Sequence, residues 1–147
     1  MTAPLLEVRN LRIEFPTRRG TLLAVDDVSF SIAPGEVLGV VGESGAGKSL
    51  TGAAVIGLLE PPGRIARGEV KLAGLRIDSL PPDEMRKVRG REIGAIFQDP
   101  LTSLDPLYTV GQQLIETITT HLHMSQQQAR SRAIELLAAT GIPAPER

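Results

Sequence analysis

Along the first third of the chain, apolar and polar residues alternate. Between Leu6 and Phe15, Leu11, Ile13 and Phe15 fall on one side and Arg12 and Glu14 on the other, which predicts a half-buried antiparallel strand. Pro16 to Gly20 is a polar turn, Thr21–Val25 a short strand, and Val28–Ile32 a further alternating strand. Ala33-Pro34-Gly35-Glu36 is a turn, with Pro setting φ and Gly free to take a positive one. Val37–Val41 breaks the alternation with a continuous apolar run, the pattern of a central parallel strand covered on both faces.

Beyond it the rhythm changes. Gly42–Ser49 is a glycine-rich loop, and Ser49–Leu59 predicts a helix with an apolar stripe at Ala53, Ile56 and Leu59, ended by Pro61-Pro62-Gly63. Glu69–Leu72 and Leu75–Ile77 predict a small hairpin around Ala73-Gly74. Pro81–Arg89 predicts a short helix with Asp83 and Glu84 in its first turn. Ile93–Phe97 is another apolar strand, and Gln98–Tyr108 a loop punctuated by Pro100 and Pro106. Thr109–His121 predicts a helix. Ser125 with Gln128 forms a capping-box pattern opening a second one, with Ile134, Leu137 and Ala138 as its apolar face and Gly141 at the C′ position. Strands dominate up to Phe97 and helices follow, without an internal repeat.

Composition narrows the function. A formal net charge of -1 excludes a strongly basic nucleic-acid binder. Four aromatic residues, Phe15, Phe30, Phe97 and Tyr108, do not make a stacking platform for single strands. With no cysteine and only His121 and His123, disulfide scaffolds, iron–sulfur clusters and His-rich metal centres are excluded within these residues. The two histidines read as solvated or capping residues at a helix end. No signal peptide opens the chain and no apolar run approaches the ~20 residues of a membrane span, so a cytosolic protein is expected.

Gly42-Glu43-Ser44-Gly45-Ala46-Gly47-Lys48-Ser49 matches G-x-x-x-x-G-K-S/T. Glycines let successive backbone N–H groups wrap around phosphate oxygens, and the helix that follows turns its positive end to the same anion. In this pattern Lys48 reaches the β- and γ-phosphates and the Ser49 hydroxyl ligates Mg²⁺. The buried strand before Gly42 and the helix after Gly47 are the context the motif requires. A GTPase is excluded: Lys48, Lys71 and Lys87 follow Gly47, Val70 and Arg86, so Asn/Thr-Lys-x-Asp is absent. On the loop alone a small-molecule kinase remains open.

Together with this loop, Phe97-Gln98-Asp99-Pro100 and Ala33-Pro34-Gly35-Glu36 resemble an ABC-transporter ATP-binding subunit. The run from Ile96 to Pro106, with Arg89-Gly90-Arg91-Glu92-Ile93 and Gly141-Ile142-Pro143, is similar to the subfamily that energises oligopeptide, dipeptide and nickel importers. The likeness extends from Leu6 to Arg147. It implies an α/β fold, a P-loop NTPase core with antiparallel outer strands, truncated at the start of a helical subdomain. Residues 1–98 would form the nucleotide-binding part and residues 99–147 the Q-loop region and the first subdomain helices. The resemblance also implies ATP and Mg²⁺ as ligands, Phe15 stacking on adenine, and Gln98 as the Q-loop glutamine that contacts Mg²⁺ or the attacking water. The partners it implies are integral-membrane permease subunits, near which the Asp99–Tyr108 loop would lie, and a second ATP-binding subunit. The location implied is peripheral, on the cytoplasmic side of the inner membrane, with no nucleic acid bound.

Two family features are missing. No Gly-Gly pair occurs, so there is no serine-glycine-glycine signature, and after the P-loop no Asp closes a run of four apolar residues as Walker B requires. Leu22-Leu23-Ala24-Val25-Asp26-Asp27 mimics that pattern but lies upstream, in outer strand and turn. The expectation is the N-terminal part of a longer importer subunit, unable to hydrolyse ATP by itself and exposing apolar surface. The alternative is a truncated protein that binds nucleotide or the membrane subunit without catalysis.

Overall fold

The computed structural model describes residues 3–98 and 103–146. The chain packs as two compact units that divide between Arg86 and Lys87.

The first unit is built on an antiparallel sheet. Strand β1 (Leu6–Thr17) pairs with β2 (Gly20–Ile32) on one side and β3 (Arg64–Leu72) on the other, and a short β4 (Leu75–Arg76) completes the order β2-β1-β3-β4. Val8, Leu11, Ile13, Val25 and Val70 form its buried core. The β1 alternation holds with one interruption. Asn10 has a φ of 47° and Asp27, across the pair, 56°, and the register shifts between Val8 and Leu11. That irregularity lets Val8 and Leu11 both face inward despite their odd spacing. The same device joins the two short strands expected at Thr21–Val25 and Val28–Ile32 into one 13-residue strand. Asn10 Nδ2 and Arg67 Nη2 both donate to Asp27 Oδ1, at 2.8 and 3.0 Å. The Asp26-Asp27 pair thus belongs to a strand irregularity.

Helix α1 (Lys48–Val55) is shorter than the expected Ser49–Leu59. Gly57, with φ 66°, ends it: its N–H reaches Ala54 O at 3.1 Å, and the Leu58 N–H reaches Ala53 O at 2.8 Å. This is a Schellman stop, four residues before the prolines. The buried face is Ala54 and Val55, not the stripe of Ala53, Ile56 and Leu59. The Ala73-Gly74 hairpin stands, but β3 begins at Arg64, well before the expected Glu69.

Two predicted strands form no ladder among the described residues. Val37–Val41 carries no strand pairing, and Val37 and Val41 are each 94% exposed. In Ile93–Phe97, only Ile93 pairs, in a single bridge to Arg89, and Ile96 is 98% exposed. A fully apolar run becomes a central strand only where neighbouring strands supply its backbone partners and cover. Among the described residues the four-stranded sheet is antiparallel throughout.

Helix α2 (Pro82–Val88) carries Asp83 and Glu84 in its first turn, as expected. In the second unit α3 (Val110–His121) and α4 (Gln126–Ala139) pack around Ile118, Ala129 and Ala133. Both start with capping boxes, Thr109 with Gln112 and Ser125 with Gln128. Gly141 ends α4 as expected, with its N–H on Ala138 O and that of Ile142 on Leu137 O. The packed face of α4 is alanine, where small side chains let the helices approach; Ile134 and Leu137 are only half-buried and Ala138 is exposed. His121 is a packing residue, since a Cβ on Gly90 would lie 2.5 Å from its Nε2. No helix among the described residues is long and apolar enough to cross a membrane.

Candidate nucleotide-binding site

The glycine-rich loop is held between β2 and α1. Gly47 is the N-cap of α1, with φ 85° and ψ 3°, a conformation that disfavours any residue with a Cβ. Such a Cβ would also meet Val25 Cγ2 at 2.8 Å and Ala24 O at 3.1 Å. Both demands fix glycine at this position and seat the loop on β2. Inside the loop the Ala46 N–H bonds Glu43 O at 3.2 Å, and the Thr51 N–H and hydroxyl both reach Gly47 O.

Lys48 folds back over the loop. Its Nζ donates to Gly42 O and to Glu43 O, each at 2.6 Å, so the ammonium is held over the loop. As N-cap, Gly47 offers no side-chain acceptor to the first-turn amides of α1. First-turn amides at a helix N-terminus are donors that an anion can take, and the helix dipole favours it there. Ser49, on the first turn, is exposed. The residues present therefore fit a triphosphate. Among the described residues, no cluster of three or more His, Asp or Glu gathers to hold a metal. Within the first unit, Ser49 offers the hydroxyl that a divalent cation bound with the phosphates would take.

The ladder also places Phe15. Gly47 abuts Val25, Val25 pairs with Ile13, and Phe15 lies two residues further along β1, roughly 7 Å at ~3.3 Å per residue. Its ring is half-buried. Gln98 belongs to the second unit and is exposed. Asp99, Pro100, Leu101 and Thr102, the first part of the expected membrane-facing loop, lie outside the described residues. The later part is clamped by a residue that the sequence did not single out. The Gln113 side chain accepts from the Asp105 N–H at 3.0 Å and donates to the carbonyls of Asp105 and Tyr108. Its position on the first turn of α3 was the only signal available.

Asp78 closes the β3–β4 hairpin. Burial raises its carboxyl pKa, but hydrogen bonds from Arg76 and from the Val70 N–H (2.7 Å), with the Arg76 charge, outweigh that and hold it below its ordinary value. This is a structural acid, since both oxygens are engaged by the hairpin itself.

A family model described as ABC transporter matches residues 25–146. The chain belongs to the ABC transporter family. It is 47% identical over 144 residues to the oligopeptide transport ATP-binding protein OppD of Bacillus subtilis, covering 97% of this chain and 40% of that protein. Against the dipeptide transport ATP-binding protein DppD of Haemophilus influenzae the identity is 41%, covering 97% and 43%. A solved dimer of the ATP-binding cassette MJ0796, in a post-hydrolysis state bound to ADP and Pi, matches with a TM-score of 0.80 at 26% identity, over 92% of this chain and 57% of that one. The chain thus spans about two fifths of the curated relatives' length, and its α/β fold is that of an ABC ATPase cassette.

Proposed function

We propose that this chain is the nucleotide-binding part of a peptide importer's ATP-binding subunit, which couples ATP binding and hydrolysis to uptake. One observation carries the reading: Lys48 Nζ sits on the carbonyls of Gly42 and Glu43, at the N-terminus of α1. In use, that ammonium exchanges carbonyl oxygens for the β- and γ-phosphate oxygens of ATP. Backbone N–H groups from Glu43 to Ser49 surround the phosphates and stabilise charge that develops on them. Mg²⁺ would supply charge neutralisation to the phosphates, and Ser49 and Gln98 are the residues that would hold it. Phe15 stacks on adenine. The permease partners, the second ATP-binding subunit, the peripheral membrane location and the functional boundary at residue 98 belong to the same proposal. The likeness to oligopeptide and dipeptide transport proteins favours peptides over nickel as cargo.

Within the chain itself we read binding without turnover. No Gly-Gly signature and no Walker B carboxylate occur in it, so the water has no base. The test is uptake of a labelled peptide by cells lacking their own subunit. The whole subunit should restore it, and Gln98→Ala in that subunit should cut it at least about tenfold with ATP binding retained. Restored uptake unaffected by Gln98→Ala would overturn the role given to Gln98.

A further inference from the structure

Gly63 lies just before β3, in a turn closed by its own N–H on Glu60 O at 2.8 Å. The β1–β3 ladder pairs Ile13 with Ile65 and Glu14 with Arg64. Continued by one residue, that register sets Gly63 opposite Phe15. The side-chain geometry agrees. A Cβ on Gly63 would lie 2.7 Å from Phe15 Cε1 and 2.9 Å from Cζ, and 2.8 Å from Glu60 O. The far end of the ring therefore fills the space that any other side chain would need. The glycine has no positive φ to explain it; what it provides is room. The rest of the half-buried ring remains accessible.

We infer that Gly63 is a positioning residue for the nucleobase of a purine nucleoside triphosphate, acting by setting the orientation of the Phe15 ring. The inference rests on the reading of Phe15 as the stacking residue. A ring that stacks face-on must be held in that geometry, because offset-stacked and edge-to-face pairs are distinct arrangements. Phe15 sits near the hairpin end of the sheet, opposite the exposed Leu22. The far end of the ring lies against Gly63. A Cβ there pushes the ring aside while leaving the phosphate loop, on the other neighbour strand, in place.

The experiment compares equilibrium binding of ATP and of inorganic tripolyphosphate to the full chain. The variants are Phe15→Ala, Gly63→Ala and the two combined. Stacking a base on an aromatic ring is worth about five- to a hundredfold in affinity. Gly63→Ala should weaken ATP at least about fivefold, leave tripolyphosphate within about twofold, and add nothing further in the Phe15→Ala background. Removing the ring relieves the clash with Cε1 and Cζ and leaves only the Glu60 carbonyl against the new Cβ, so the double variant separates the two contributions. Unchanged ATP affinity in Gly63→Ala, equal weakening of both ligands, or an undiminished Gly63→Ala effect in the Phe15→Ala background would each overturn the inference; the last would assign the effect to the Glu60 carbonyl. If Phe15→Ala itself leaves ATP binding unchanged, the stacking role of Phe15 fails, and the inference with it.

Discussion

Asp78 shows how one side chain can hold a hairpin. Only 5% of its side chain is exposed, and it takes hydrogen bonds from Arg76 at 2.9 Å and from the Val70 N–H at 2.7 Å. Asp78→Asn removes the charge but keeps the shape, and should cost about 1–3 kcal/mol at pH 7. Because the folded carboxyl is held below its ordinary value, the charge contributes fully above about pH 4. That contribution is lost as pH falls through the folded value. Denaturant midpoints of the two proteins should therefore differ at pH 7 and converge toward pH 2. A gap that persisted at low pH would mean that the charge is not what holds the hairpin. At Gly47 the requirement is steric on two counts, and Gly47→Ala should both destabilise the first unit and weaken phosphate binding.

The helices and strands divide into those whose signals are local and those whose partners are remote. Helix α4 was legible because Ser125, Gln128 and Gly141 write its start and stop in the sequence. Ser125→Ala should destabilise the α3–α4 pair by about 1 kcal/mol. Thermal melting followed by helical circular dichroism checks it, and no change would mean that the cap is redundant. Thr109 and Gln112 cap α3 in the same way. Helix α1 ends earlier than the sequence predicts because Gly57 stops it before the more conspicuous Pro61-Pro62-Gly63 is reached. The phosphate loop was legible from its glycines and Lys48, whereas Gly63 was not: its meaning lies in a register with Phe15 that links residues far apart in sequence. Val37–Val41 and Ile93–Phe97 have strand composition, yet a strand is made by its neighbours, and composition alone does not supply them.

At the scale of the molecule, the same two runs leave large apolar side chains in solvent. Val37, Val40 and Val41 in the first unit and Ile96 and Phe97 in the second are all exposed. Exposed apolar runs with unpaired backbone groups are templates for association. The 147-residue chain should self-associate with rising concentration, and Val37→Lys with Val41→Lys should reduce it, as light scattering would report. A wild-type chain that stayed monomeric across the range would show these runs to be harmless. The central claim is that Gly42–Ser49 cradles a triphosphate through Lys48, and calorimetric titration of Mg-ATP into the chain and its Lys48→Ala variant tests it most directly. Losing a charge-assisted contact to phosphate should weaken binding at least about tenfold; equal affinity in the two proteins would contradict the claim.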